Sequence, residues 1–127
     1  MNGRVASISL ATYWMEQGQN DKALAALSAI EDTPKDFHYY QARDLAAQIA
    51  LLKGDAAGAL AILDTIEAAK PKDFNLDAVL FHKAEALEKK GDKAAALALF
   101  KKIQTDYAQS YFGYDAGLRV RKLESAK

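Results

Sequence analysis

The sequence contains no cysteine. That excludes a disulfide framework and leaves no thiolate for catalysis or metal binding. An excess of charge is missing too, because seventeen Lys and Arg residues balance seventeen Asp and Glu. Nucleic-acid binders usually concentrate positive charge. Here the basic residues are scattered singly or in pairs, with no run suited to a membrane surface. No apolar stretch approaches the roughly 18 residues that a spanning helix needs. Met1-Asn2-Gly3-Arg4 leads straight into helical sequence with no apolar signal region. The chain starts almost on its first repeat, so an anchor or signal left out upstream would make it periplasmic or membrane-tethered. Without one it is expected in the cytoplasm. At 127 residues there is room for one domain, 1–127, which can bury roughly two thirds of the surface it exposes when unfolded.

What is present is repetition. Gly18, Gly54 and Gly91 lie 36 and 37 residues apart. Each is followed five residues on by Ala-Leu-Ala, beginning at Ala23, Ala59 and Ala96. Leu27, Leu63 and Phe100 come next, then Ile30, Ile66 and Ile103. A fixed period in this range marks a stacked repeat. Apolar spacing predicts a first helix from about Val5 to Gln17, stopped by Gly18, and a second to about Glu31 with Asn20 or Asp21 as its cap. Pairs follow over about Phe37–Lys53 with Ala56–Ala69, and Phe74–Lys90 with Lys93–Thr105. A last helix runs over about Tyr111–Leu123. At two joints a lysine closes one helix and an aspartate opens the next, at Lys53-Gly54-Asp55 and Lys90-Gly91-Asp92, each favourable for the helix dipole. Pro34-Lys35-Asp36-Phe37 recurs as Pro71-Lys72-Asp73-Phe74, with Asp36 as an N-cap. The third instance is Ala108-Gln109-Ser110-Tyr111, which keeps a cap-competent serine where Asp stood and an aromatic where Phe stood. The small alanine in each second helix lets its partner helix approach closely.

This run resembles the tetratricopeptide repeat, a helix–turn–helix of 34 residues. The family's joint glycine corresponds to Gly18, Gly54 and Gly91, and its small residue to Ala23, Ala59 and Ala96. Its following aromatic corresponds to Leu27, Leu63 and Phe100. Its closing proline matches Pro71 in phase, Pro34 one residue early, and is lost at Ala108. The first-helix signature falls on Ser7, Leu10, Ala11 and Trp14, then on Arg43, Ala46, Ala47 and Ala50, then on Leu80, Lys83, Ala84 and Leu87. Those departures, and repeats two or three residues longer, make this a divergent member. The resemblance implies an all-α fold: a right-handed solenoid of three helical hairpins (4–34, 37–71 and 74–108) with a capping helix at 111–123. The stretch from Phe100 to Tyr111 is similar to an ending common in periplasmic repeat proteins that bind Tol or outer-membrane assembly factors. Leu45–Glu67 is similar to membrane-tethered, translocon-associated proteins of this type.

In such a repeat the first helices line a concave groove for a partner protein or peptide. The lining expected here is Ile8, Thr12, Met15 and Glu16, then Gln41, Asp44, Gln48 and Leu51. It continues with Phe81, His82, Glu85 and Glu88, and with Arg119 from the last helix. Phe81, Met15 and Leu51 would take apolar side chains, and Asp44, Glu85 and Glu88 would favour a basic or amide-rich ligand. The plainer reading is a set of solvated helix faces. None of Ile8, Thr12, Asp44, Gln48, Phe81 and Glu85 is basic, which disfavours capture of a chaperone's C-terminal carboxylate. His82 and Glu85 alone fall short of the three or four ligands of a metal site. His38 reads as a surface loop residue. No nucleophile–base set and no phosphate loop is recognisable. Aromatics crowd at Phe37, Tyr39 and Tyr40 and at Tyr107, Tyr111, Phe112 and Tyr114. Like Tyr13, Trp14 and Met15, they are either seam core or an exposed patch. The function expected is a non-catalytic interaction scaffold in a bacterial envelope complex, with no cofactor and no metal. The alternatives are a self-associating adaptor, dimeric through its terminal helices, and a small-molecule-binding or enzyme-accessory domain.

Overall fold

The computed structural model describes residues 3–72 and 74–126. Among them are seven helices and no strand. They are α1 (Gly3–Glu16), α2 (Asn20–Ser28), α3 (Phe37–Leu52), α4 (Ala56–Ala69), α5 (Leu76–Lys90), α6 (Lys93–Asp106) and α7 (Tyr111–Ser125). Neighbouring helices pack in sequence order within two compact units, Met1–Phe74 and Asn75–Lys127.

The three joints share one geometry. Gly18, Gly54 and Gly91 take φ of 75°, 86° and 99°, a region open to glycine because it has no Cβ. At the middle joint the Gly54 amide donates to the Leu51 carbonyl at 3.0 Å and the Asp55 amide to Ala50 at 2.8 Å. Gly91 and Asp92, and Gly18 and Gln19, make the same pair of bonds. This is the Schellman arrangement, which satisfies carbonyls that a helix end otherwise leaves unpaired. The next helix starts at once. Asp55 accepts from the Gly58 amide at 2.9 Å, Asp92 from Ala95 at 3.1 Å, and Ser110 from Gly113 at 3.0 Å. The first joint differs from expectation. Gln19 stands at the cap position without a side-chain bond, Asn20 already lies inside α2, and the Asn20 Oδ1 is buried without a partner among the described residues.

In unit 1, Ile8, Ala11, Ala23, Leu27, Ile30, Ala42, Leu45, Ala46 and Ile49 form the core where α1, α2 and α3 meet. α4 packs on α3 and buries Ala59, Leu63 and Ile66. In unit 2 the core is Leu80, Phe81, Ala84, Ala96, Phe100, Ile103, Ala116 and Val120. The repeat is thus visible in burial. Ala23, Ala59 and Ala96 are all 0% exposed, and the residues four and seven positions later are buried in every copy. Each such Leu, Ile or Phe contributes about 1.5–3 kcal/mol relative to exposure.

Some helix ends depart from the sequence reading. α2 stops at Ser28 rather than Glu31. The Ser28 hydroxyl donates to Ala25 and the Thr33 hydroxyl to Ile30, so hydroxyls compete with helical bonding while Ile30 is still buried. α5 begins at Leu76 rather than Phe74, because Phe74 turns back onto the rings of Phe37 (5.7 Å) and Tyr40 (6.4 Å). Asp73, which matches Asp36 in phase, lies outside the described residues. His38 is no loop residue: it occupies the first turn of α3 and is half-buried.

Asp36 caps α3 through the Tyr39 amide and also receives both terminal nitrogens of Arg4 at 2.7 Å, which ties the start of α1 to the start of α3. The Arg4 hydrogen bonds, helped by the Tyr39 amide, hold the Asp36 carboxyl down at about 2. An unfolded Asp titrates near 3.9, at about its ordinary value. Because the folded value is depressed, the unfolded chain takes up the proton first. The stabilisation is complete above the unfolded value and is lost as pH falls through the folded one.

Two measurements follow from this packing. Ala59→Leu overpacks the α3–α4 seam and is expected to cost about 1–3 kcal/mol, read from the urea midpoint; an unchanged midpoint means that position 59 does not set the helix spacing. Asp36→Asn keeps a cap-competent side chain but loses the ion pair. Its stability deficit at neutral pH is expected to close as the pH approaches 2, and a pH-independent deficit would contradict the assigned pairing.

Candidate functional site

α3 is the central element of unit 1, packing on α1, α2 and α4. Tyr39, Ala42, Arg43 and Ala46 recur at helical spacing along it and line one wall of a cleft. Leu24, Leu27, Ile30 and Glu31 form the opposite wall, and Ile62 of α4 closes one end. The cleft holds about 260 Å³. It exists for two local reasons. Ala42 and Ala46 are too small to fill the space between helices, and the early end of α2 leaves Ile30 and Glu31 in turns beside α3. Its walls are mostly apolar, with one acid (Glu31) and one base (Arg43). Such a mixture, an apolar cavity with a few polar groups, is the usual form of a recognition pocket.

The residues expected to line a partner groove are distributed as follows. In unit 1, Ile8 and Leu51 are buried, and the Thr12 hydroxyl is engaged by the Ile8 carbonyl at 2.9 Å. Met15 packs half-buried against the core, as does Trp14, while Tyr13 beside them is exposed. Asp44 is buried and accepts from Gln48 at 3.3 Å. In unit 2 the fold gathers Phe81, His82, Glu85 and Arg119. Phe81 is 3% exposed, its ring 5.4 Å from both Phe100 and Phe112. His82 is buried too, 5.9 Å from Phe112. Arg119 donates to Glu85 at 2.8 Å, and its guanidinium lies 5.1 Å from the Phe81 ring and 5.8 Å from Phe100. Glu88 is half-exposed on α5. Of the residues expected in the groove, the large apolar Ile8, Leu51 and Phe81 therefore serve the core, whereas the exposed apolar side chains of these helices are others, Leu10 and Tyr13 on α1 and Phe37 and Leu52 on α3.

Comparison of the chain with family models, with curated proteins and with solved structures gives no match. The chemistry of the site consequently rests on its own residues. No group of three or more His, Cys, Asp or Glu among the described residues is placed to hold a metal ion, so His82 and Glu85 gain no third ligand there.

Three features escaped sequence reasoning. The cleft did, although the paired alanines at 42 and 46 signal a wide spot on α3. The ion pairs Arg4–Asp36 and Lys53–Asp21 did as well, each spanning 32 residues. Finally, Lys35, Asp36 and Phe37 meet Pro71, Lys72 and Phe74 around one concavity of about 400 Å³, with Tyr40 and Lys70 also in its walls.

Arg119→Ala removes both the ion pair and the stacking on Phe81 and Phe100, and is expected to cost about 1–2 kcal/mol. Glu85→Gln removes the charge pair alone and should cost less than half of that. Thermal denaturation of the two variants decides the matter: equal losses would mean that the aromatic contact contributes nothing.

Proposed function

We propose that the chain is a divergent tetratricopeptide-like protein that binds a partner protein without catalysing a reaction. Stacking of its hairpins into a right-handed solenoid is part of the same proposal. The observation that supports it is the cleft of unit 1. An apolar floor of Leu24, Leu27, Ile30, Ala46 and Ile62, flanked by Arg43 and Glu31, suits one bulky apolar side chain of a partner segment. An acid on that segment meets Arg43 and a base meets Glu31. Apolar anchors seated in pockets supply most of the affinity of such contacts, and rim charges supply orientation and specificity. In unit 2, Glu85 and Glu88 on α5 give a polar face of the kind that frames an anchor rather than providing one. The resemblance to envelope repeat proteins makes a bacterial envelope complex the first source in which to seek the partner.

A displayed peptide library panned on the folded chain tests this reading. Enriched peptides are expected to share a bulky apolar residue next to a charged one. Ala46→Glu, which places a charge in the cleft, should weaken them roughly a hundredfold, and Arg43→Glu roughly tenfold. Peptides that bind both variants as tightly as the parent would place recognition elsewhere, and no enrichment at all would argue against a peptide-binding module.

A further inference from the structure

α7 carries two faces. Its inner face packs Phe112, Ala116, Val120 and Leu123 into the unit 2 core. Its outer face exposes Tyr111 (71%), Tyr114 (67%) and Leu118 (40%), spaced three and four residues apart so that they form one stripe. Leu118 occupies the register of Phe81, 37 residues earlier, and Phe81 is covered by Phe100 of its hairpin partner α6. The same position on α7 is open to solvent. Two large tyrosines and a leucine aligned on an exposed helix face form a surface suited to association.

The flanks of the stripe say what fits it. At about 100° per residue, Asp115 and Lys122 lie on one side of Leu118, and Tyr114 and Arg121 lie on the other. Both pairs straddle Leu118 along the axis. A second α7 laid antiparallel, with its Leu118 on this Leu118, therefore brings Asp115 against Lys122 of the other copy and Tyr114 against Arg121 of the other copy. The two-fold axis repeats both contacts. The surface is self-complementary, as an isologous dimer requires: it offers an apolar centre, two opposite-charge pairs and two cation–π pairs. The antiparallel direction is also the one that α5 and α6 adopt as a hairpin. The exposed stripe on α1, Leu10 and Tyr13, has no such flanks. Ala6, Ser9, Glu16 and Gln17 surround it, and they include no base to pair with Glu16 of a second copy.

We infer that the chain forms a two-fold dimer through the outer face of α7, with Leu118 at its centre and Asp115 and Lys122 paired across it. This stands independently of the peptide reading, since the cleft lies in unit 1. Sedimentation equilibrium over a concentration series tests it, with circular dichroism showing that each variant stays helical. The wild type is expected to dimerise and Leu118→Asp to be monomeric. Asp115→Lys and Lys122→Asp should each weaken the dimer roughly tenfold, and the double exchange should return it to near the wild-type affinity. A wild type that stays monomeric up to its solubility limit, leaving α7 to a different protein, would overturn the inference. So would a double exchange no better than the single ones.

Discussion

The close approach of two helices at an alanine is the contact on which this fold depends. Ala23, Ala59 and Ala96 are completely buried at the same phase of α2, α4 and α6. A side chain of one carbon lets the preceding helix come near enough for the residues four and seven positions on to fill the seam. Leu27 and Ile30, Leu63 and Ile66, and Phe100 and Ile103 do so in their copies. The glycine joints make the approach attainable, since a left-handed residue with its two capping hydrogen bonds reverses the chain within two or three residues. Joint and seam together define a hairpin, and the chain makes it three times.

Long side chains tie helices that the hairpins leave apart. Arg4 reaches Asp36, Lys53 reaches Asp21 and Arg119 reaches Glu85. Each bond spans 32 to 34 residues, close to the repeat period. Ion pairs open to water contribute little beside one buried leucine, so their role is to orient. Arg4 and Arg119 link first helices, α1 to α3 and α5 to α7. Arg119 lies in addition over two rings of the core, which makes its contact the more costly to lose.

Features decided within a few residues were legible in the sequence. Gly54 and Gly91, the caps at Asp36, Asp55, Asp92 and Ser110, and the span of α4 follow from local backbone chemistry. What depended on distant residues was not. The start of α5 at Leu76 goes with the contact of the Phe74 ring on Phe37 and Tyr40, while the stop of α2 at Ser28 goes with hydroxyl bonds to carbonyls three residues back, a competition that apolar spacing does not register. Lys70, which ends α4 at φ 45°, is a lysine where a glycine would signal the same turn. Register alone put Ile8, Leu51 and Phe81 among the outward residues of first helices. It could not tell an inward apolar position from an outward one on helices that bury more than one face. The unit 1 cleft was missed because a pocket is made by residues that are too small, and absence of volume leaves no motif.

Site and scaffold are thus two consequences of small residues. Ala59 and Ala96 close a seam because a second helix can reach them, while Ala42 and Ala46, although buried, are small enough to leave a cleft beside Leu24 and Ile30. The measurement that tests this account most directly is native-state amide hydrogen exchange. If the alanine seams hold the hairpins, the amides of α3 and α4 flanking Ala59, and those of α5 and α6 flanking Ala96, should exchange only through global unfolding of their unit. The turns at 29–36 should exchange far faster. Seam amides that exchange as quickly as those turns would contradict it.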